Sequence, residues 1–496
     1  MYSLSPDTIK YADALCCEKY GISELTLMKN AAKKCFSHVT SVSKHKNKIV
    51  IICGKGNNGG DGYELATLLH NALFDVKVIN VFGCEPNTTT ARAVYKRSLE
   101  HKVRMLPLDD WQTALYDADI IIDALFGVGF YGTIENDSEI GKMISFCNEK
   151  SAKRIAIDTP SGINSADGRV EGVAFMADIT VTMAYVKTGM LSYPAKEYCG
   201  EIIVVDIGYP IALHEEIPKN AFIPDDEFVK ATIPKRKQNT HKGTYGRLLM
   251  YCGSVNMTGA AILASTAALR SGVGLLNIAR DEETVRILQS VLTEPIFSPV
   301  DDENEVLSLS QKASAVLIGC GMGRNEKDKN ILFSLIKNAE CNLIIDADGI
   351  NELSSNTNIL KEAKKTPILT PHPLEFARLL SCSVEEVQSD RINKAKAFAK
   401  EYGCILVLKG ASTIIASPDG RLSVNLSGNP GLSRGGSGDV LAGLVSSFCA
   451  QGIEPFDSAV CACYLHGKAA DVLKEEIGEY GMLPSDLPMA IAKLLP

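Results

Sequence analysis

Residues 48–62 read Lys48-Ile49-Val50-Ile51-Ile52-Cys53-Gly54-Lys55-Gly56-Asn57-Asn58-Gly59-Gly60-Asp61-Gly62. The run Lys48 to Cys53 is apolar and β-branched, the length of a buried strand, and the glycine-rich stretch after it leads into the helical run Tyr63 to Asn71. Strand, Gly-rich turn and helix in that order open a layered α/β domain, because parallel strands need a crossover and a helix is the usual one. Glycines in such a turn let the backbone approach a ligand, and the free N–H groups at the helix start favour phosphate or another anion.

The same alternation continues, with strands expected at Val76 to Phe82, Asp119 to Leu125, Arg154 to Asp158, Ile179 to Ala184 and Glu201 to Ile207. It breaks at Pro210, Pro218, Pro224 and Pro234 and at the basic run Lys235 to Lys242. It then restarts with strands expected at Leu248 to Cys252, Ala315 to Gly319, Leu343 to Asp346, Pro367 to Thr370, Ile405 to Lys409 and Thr413 to Ala416. The fold class is α/β in both halves: a Rossmann-like three-layer domain over residues 1–215, and a second α/β domain over 225–496. Residues 216–242 form the linker and the start of the second domain. A chain of 496 residues is longer than one core usually grows, which agrees with two domains.

Composition narrows the function. Hydrophobic residues make up 46% and charged residues 22%, so a folded chain is expected throughout. A net charge of -8 with interspersed signs leaves no broad basic face, which argues against nucleic acid or an anionic membrane as partner and favours small ligands. The 15 cysteines are scattered, odd in number and mostly set in apolar runs, as at Cys53, Cys320 and Cys404, so they read as buried small hydrophobes. No apolar run is long enough to span a bilayer, and a cytoplasmic location is expected.

Two more strand ends of the first domain carry polar groups. Asp123 leads into Ala124-Leu125-Phe126-Gly127-Val128-Gly129-Phe130-Tyr131-Gly132-Thr133, and Asp158 into Thr159-Pro160-Ser161-Gly162. In a parallel sheet the carboxyl ends of the strands share one rim, where ligand crevices form, so Asn58, Asp123, Asp158 and Ser161 can converge. Each aspartate alone reads as a helix or turn cap; three strand ends together favour a shared site.

In the second domain the informative run is Asn429-Pro430-Gly431-Leu432-Ser433-Arg434-Gly435-Gly436-Ser437-Gly438-Asp439, ahead of the apolar helix Leu444 to Ala450. Gly435 to Gly438 can form an anion-binding nest at a helix start. Asp439 follows where a transferring phosphoryl group would meet an acceptor hydroxyl, whose proton it can accept.

The first-domain segments resemble the NAD(P)H-hydrate epimerase family, whose NNGGD, FG-x-G and D-x-P-S-G motifs stand here as Asn57 to Asp61, Phe126 to Gly129 and Asp158 to Gly162. The resemblance spans about residues 5–215. It implies binding of the hydrated dinucleotide by Asn57, Asn58, Gly59, Gly60, Asp61, Gly127, Val128, Gly129, Phe130, Tyr131, Gly132, Thr133 and Asp158. It also implies potassium held by Asn58, Asp123 and Ser161, and Asp158 as the acid-base group for inversion at C6 of the hydrated nicotinamide. One departure is visible: the family's LM-E-x-A-G reads Leu27-Met28-Lys29-Asn30-Ala31-Ala32.

The second domain resembles the ribokinase-like superfamily, narrowed to NAD(P)H-hydrate dehydratase by His241-Lys242-Gly243-Thr244-Tyr245-Gly246, Gly253-Ser254 with Gly259-Ala260, Gly319 to Gly323, Thr370-Pro371-His372-Pro373-Leu374-Glu375 and Lys409-Gly410. That family implies binding of ADP or ATP, with magnesium, by Lys409, Gly410, Ala411, Ser412, Thr413 and Asn429 to Gly438 (Asn429, Pro430, Gly431, Leu432, Ser433, Arg434, Gly435, Gly436, Ser437, Gly438). The hydrated cofactor would meet Ala260, Gly323, His372, Pro373, Leu374, Glu375, Phe376, Ala377, Arg378 and Asp439, with Asp439 catalytic. Leu374 replaces the usual glycine, and Leu432-Ser433-Arg434 the usual Met-Ala-Thr. His372 alone would more often be a hydrogen-bonded surface or core histidine; the motif around it favours a ligand contact.

The resemblance implies repair of hydrated NADH and NADPH (NADHX and NADPHX), with ADP the expected phosphoryl donor and a homo-oligomer expected. The alternative is a small-molecule kinase for a vitamin precursor with an N-terminal nucleotide-binding module. A dehydrogenase ranks last, because no acidic residue closes Val76 to Phe82 to hold a ribose hydroxyl. A non-enzymatic scaffold would leave Asp158 and Asp439 without a task.

Overall fold

Burial on both faces decides the first sheet. In the strand Lys48–Cys53, Ile49, Ile51 and Cys53 join one apolar cluster while Val50 and Ile52 join another, the two-residue period of a strand covered on both sides. The computed structural model describes residues 2–496, which form the units Tyr2–Ala221 and Phe222–Pro496.

From edge to edge the first sheet runs Arg104–Pro107, Asp75–Asn80, Lys48–Cys53, Ile120–Ala124, Lys153–Ile157, Ile179–Met183 and Glu201–Val205. All of these pairings are parallel. The chain leaves Lys48–Cys53 toward one edge and returns at Ile120–Ala124 to build toward the other. The rim between those two strands is therefore the switch point at which open α/β sheets bind ligands. The expected strands are found within two residues; Arg104–Pro107 was not foreseen, because this edge strand is only half buried and carries no apolar run.

One expectation needs correcting. The helix starts at Asn57, not Tyr63, and spans Asn57–Asn71 with no side-chain cap, so the NNGGD motif is its first turn. A Cβ on Gly59 would lie 2.1 Å from the Gly54 carbonyl oxygen, and one on Gly62 would lie 2.6 Å from Ala124 Cβ. These glycines bring the helix down onto the strands.

The second unit's sheet runs Ile296–Pro299, Leu275–Arg280, Arg247–Tyr251, Ala315–Ile318, Asn342–Ile345, Ile368–Leu369, Ile405–Leu408, Thr413–Ala416 and Leu422–Asn425. Pairing is parallel up to Ile405–Leu408 and antiparallel for the last two strands. The helix expected from Leu444 begins at Ser437 and spans Ser437–Ala450. It packs against Thr258–Arg270 across Gly443, where a Cβ would stand 2.2 Å from the Ala264 carbonyl oxygen. The proline-rich stretch expected as a linker contains the helix Asp226–Thr232, capped by Asp225.

All 15 cysteines are free thiols. Among the described residues no helix is long and apolar enough to cross a membrane.

Gly443→Ala is expected to destabilise the protein by about 1–3 kcal/mol through overpacking against a carbonyl that cannot move away. Gly435→Ala, whose Cβ would meet nothing within 4 Å, should leave the calorimetric midpoint unchanged. Equal midpoints for both variants would refute the close contact.

Candidate active sites

At the switch point of the first sheet lies a cavity of about 620 Å³, lined by the helix start at Asn57, Asn58 and Asp61, by Leu125 to Tyr131, and by Asp158. Asn57, Asn58, Asp61, Gly127, Val128, Gly129, Phe130, Tyr131 and Asp158 thus share one space, as the sequence anticipates. Gly59 and Gly60 do not reach it: they are buried, and a Cβ on Gly60 would meet Met28 and Ala91. Gly132 lines a smaller neighbouring pocket with Arg169 and Asn164, and the Thr133 hydroxyl faces Glu171 at 3.3 Å on the surface.

Asp158 takes a left-handed backbone, φ 68°, rare for a residue with a Cβ and typical of a functional turn. Its Oδ1 accepts from the Lys187 ammonium, whose side chain is wholly buried. Lys187 also donates to Thr182 Oγ1 at 2.9 Å and to the Met183 carbonyl at 3.3 Å, so each ammonium hydrogen has an acceptor. Burial, reinforced by the charges of Asp158 and Asp13, pushes Asp61 well above the usual carboxylate range. Asp13 is pushed up to about 6 by burial, against the hydrogen bond from Tyr209. Asp13, Lys187 and Tyr209 all line the cavity, and no motif in the sequence points to them. Lys187 lies in a short strand with no pattern of its own, and Asp13 reads as one more polar position on an amphipathic helix.

Asp123 and Ser161, by contrast, are not among the residues lining this cavity and are locked together. Ser161 Oγ donates to Asp123 Oδ1 and Ser161 N to Oδ2, both at 2.7 Å, while Leu125 N adds a third bond at 3.1 Å. Burial still pushes Asp123 up to about 6. Asn58 differs: it is buried, and neither amide atom has a partner. In the departing N-terminal motif, Asn30 donates to the Ile207 carbonyl at 2.9 Å, and Met28 and Ala31 line the cavity.

In the second unit Gly436 (φ 105°) turns the chain into the helix that begins at Ser437, leaving uncapped N–H groups with Asp439 in the first turn. Lys409 Nζ stands 3.2 Å from where a Cβ of Gly438 would be, and it donates to Asp346 Oδ1 at 2.8 Å. Thr370 Oγ1 shares that oxygen at 2.7 Å. Cys320, Asp346 and Asp439 present ligand atoms all within 4.8 Å of one another. Asp439 is pushed up to about 6 by burial and then by the Asp346 charge. Glu375 is pushed up to about 7, mainly by burial. Burial works against the charge on Lys409, but Asp346 and Glu375 outweigh it and hold the group above its ordinary value.

Asn429 caps a short turn and is fixed by Asp471, which accepts from its side chain at 3.1 Å. Arg434 is tied to the Tyr480 carbonyl at 2.5 Å. The Lys409 to Thr413 turn rests on Arg391, which donates to the Leu408 and Lys409 carbonyls at 3.2 and 3.3 Å. Gly323 N donates to Asp348 at 3.0 Å, and Ala260 lies against the same loop at Gly321. Phe376 and Ala377 are core residues rather than a surface, and Arg378 donates to Asn351 at 2.6 Å. His372 caps the helix Pro373–Leu380: its Nδ1 accepts from Leu374 N at 3.1 Å and Glu375 N at 3.3 Å, and its Nε2 lies 3.4 Å from Glu375 Oε1. Asp346 and Cys320 were missed by sequence reading. The available signal was a carboxylate closing the expected strand Leu343 to Asp346.

Residues 248–493 match the family model described as NAD(P)H-hydrate dehydratase, and residues 24–189 match that of the YjeF-related protein N-terminus. The chain is 33% identical to a bifunctional NAD(P)H-hydrate repair enzyme of Moorella thermoacetica, over 98% of this chain and 95% of the relative. It is 31% identical to that of Escherichia coli, over 99% and 94%. Among solved structures, an ADP/ATP-dependent NAD(P)H-hydrate dehydratase from Bacillus subtilis, co-crystallised with ATP and Mg²⁺, is 32% identical with TM-score 0.48, covering 54% of this chain and 96% of its own.

Lys187→Met leaves Asp158 as a buried charge without its cation. It is expected to cost about 3–5 kcal/mol, read in urea by the fluorescence of Trp111, the sole tryptophan, which lies in the first unit. The double variant Lys187→Met/Asp158→Asn should regain much of that loss. No recovery would mean that the two side chains do not depend on each other.

Proposed function

The chain belongs to the family of bifunctional NAD(P)H-hydrate repair enzymes, isomerase and lyase on one chain, and from that premise we propose which residues carry each reaction. The kinase alternative is not favoured, since both halves match repair families. The observation that supports the division is that each unit has its own Lys–Asp pair beside a glycine-rich helix start, wholly buried at the lysine in the first and partly exposed there in the second.

In the first unit the hydrated dinucleotide occupies the 620 Å³ cavity, with its phosphates at the Asn57–Asn71 helix start, where unpaired N–H groups favour anions. Asp158 exchanges a proton with the substrate at C6, and Lys187 holds its carboxylate in place. Potassium suits this unit: Asn58 Oδ1 is a buried oxygen without a partner, and Asp123 and Ser161 supply neighbouring oxygens that a hard cation prefers. When bound, the ion would supply positive charge beside the substrate.

In the second unit Asp439 accepts the C6 hydroxyl proton as that oxygen attacks the terminal phosphorus of the nucleotide, and the N–H groups of Gly435 to Gly438 stabilise the transferring group. Phosphate then leaves C6 with the C–O electron pair, and loss of the C5 proton restores the reduced nicotinamide. The donors near the nest are two carboxylates and a thiol, one carboxylate already paired with Lys409. Magnesium would therefore be held chiefly by the nucleotide's own phosphates, whose charge it would neutralise. ADP is the proposed donor, giving AMP and phosphate, and competition between ADP and ATP in the dehydration assay decides it. The reading includes a cytoplasmic homo-oligomer; the free thiols support a reducing compartment, and light scattering measures the assembly.

Asp439→Asn is expected to lower nucleotide-dependent dehydration at least about 10²-fold while epimerisation continues. Because Asp439 must be unprotonated to accept the proton and is held at about 6, kcat/KM for dehydration should fall as pH drops below that value. A flat acid profile, or a variant at the parental rate, would remove Asp439 from the chemistry.

Asp158→Ala should stop interconversion of the R and S hydrates but leave dehydration of purified S hydrate unchanged, and withdrawal of potassium should weaken only the first reaction. Chromatographic counting of both epimers tests this; loss of S dehydration in the variant would sink the two-site division.

A further inference from the structure

The cavity of the first unit contains a carboxyl group that the mechanism above leaves unused. Asp13, on the helix Pro6–Tyr20, lines the same space as Asp158 and Lys187. Tyr209, which also lines the cavity, donates its hydroxyl hydrogen to Asp13 Oδ1 at 2.6 Å from a segment 196 residues away. A solvated surface carboxylate needs no such tether. Of the lysines lining the cavity, Lys187 is committed to Asp158, so Asp13 is oriented by a neutral donor, Tyr209, while Asp158 is oriented by a charged one. Two carboxyl groups in unlike environments facing one ligand space are the usual arrangement of an acid and a base.

We propose, on the epimerase reading of this unit, that Asp13 oriented by Tyr209 is the second proton-transfer group of the epimerisation, the acid in the direction in which Asp158 is the base. Inversion at C6 then balances without a redox partner. Asp13 gives its proton to the C6 hydroxyl, the C6–O bond breaks with its electron pair leaving in water, and the N1 lone pair closes to an N1=C6 iminium. Water adds to the other face through an oxygen lone pair, the iminium pair returns to N1, and the surplus proton passes to Asp158. The reverse epimerisation exchanges the two roles.

The surroundings of Asp13 suit that task. Burial pushes it up to about 6 in spite of the Tyr209 hydrogen bond; Asp158 and Glu24 raise it further and Lys187 lowers it. Asp61 also faces it, and the charge of Asp13 opposes ionisation of Asp61. A group poised there keeps a usable protonated fraction near neutrality.

The test uses the full-length protein with purified epimers of hydrated NADH, separated chromatographically, and nucleotide-dependent dehydration as the control for folding. Asp13→Asn, which keeps the shape and an acceptor for Tyr209, should lower kcat for epimerisation about 10²-fold with KM little changed. It should also remove the alkaline limb expected of the parent above pH 6. Tyr209→Phe removes a hydrogen bond that favours the ionised carboxylate, so its limb should move to higher pH. Parental kcat and pH profile in Asp13→Asn, with Asp158→Ala inactive, would overturn the proposal and leave the epimerase reading standing. A raised KM with the parental profile would also overturn it, making Asp13 a binding group. An active Asp158→Ala would instead overturn the epimerase reading. Should Asp13→Asn lose dehydration too, and so fail to fold, Tyr209→Phe decides, and an unmoved limb overturns the proposal.

Discussion

Each unit depends on one ammonium–carboxylate pair largely withdrawn from water at the carboxyl edge of its parallel strands. Lys187 meets Asp158 in the first and Lys409 meets Asp346 in the second. Removing charges from water is costly, and such a pair persists only where geometry and further hydrogen bonds compensate. Here they do: Thr182 and the Met183 carbonyl complete Lys187, and Thr370 shares the Asp346 oxygen with Lys409. The sheet supplies the rigid frame, since neighbouring strand ends fix where the carboxylates stand.

The pair sets the electrostatics of everything near it. One carboxylate in each site is neutralised by its lysine, so a second carboxyl close by feels burial and a neighbouring negative charge more than it feels the cation. Asp61 and Asp13 in the first unit, and Asp439 in the second, are all raised with burial as the leading cause. The same local rule, repeated on two sheets of different topology, yields in each a fixed anion beside a group that can carry a proton. The helix starts at Asn57 and Ser437 then offer unpaired N–H groups to an anionic ligand.

Much of this was legible in the sequence. Strands such as Lys48–Cys53 and Thr413–Ala416 announce themselves because burial on both faces leaves apolar residues everywhere beyond their first positions. Edge strands such as Arg104–Pro107 and Ile296–Pro299 leave no such trace, being half exposed. Asn58, Asp158 and Asp439 stand out because each follows or ends a recognisable strand or turn. Lys187, Asp13 and Tyr209 do not, because their meeting is made by tertiary structure: Asp13 and Tyr209 are joined across 196 residues. The glycines were read correctly as a motif and incompletely as physics. Gly59 lets the helix approach the turn after its strand and Gly60 lets it approach Met28 and Ala91 of two neighbouring helices, where the sequence suggests close approach to a ligand.

His372 carries a consequence for ligand polarity. Its Nδ1 accepts two backbone N–H groups at the start of the helix Pro373–Leu380, so that nitrogen must keep its lone pair and the ring's hydrogen must reside on Nε2. Burial and the neighbouring Lys409 charge hold the ring below the ordinary histidine value, which agrees with a neutral imidazole. The helix therefore fixes a tautomer as well as an orientation: the Nε2 edge of His372, which already faces Glu375 Oε1 at 3.4 Å, is a hydrogen-bond donor, and any group that approaches it must bring a lone pair.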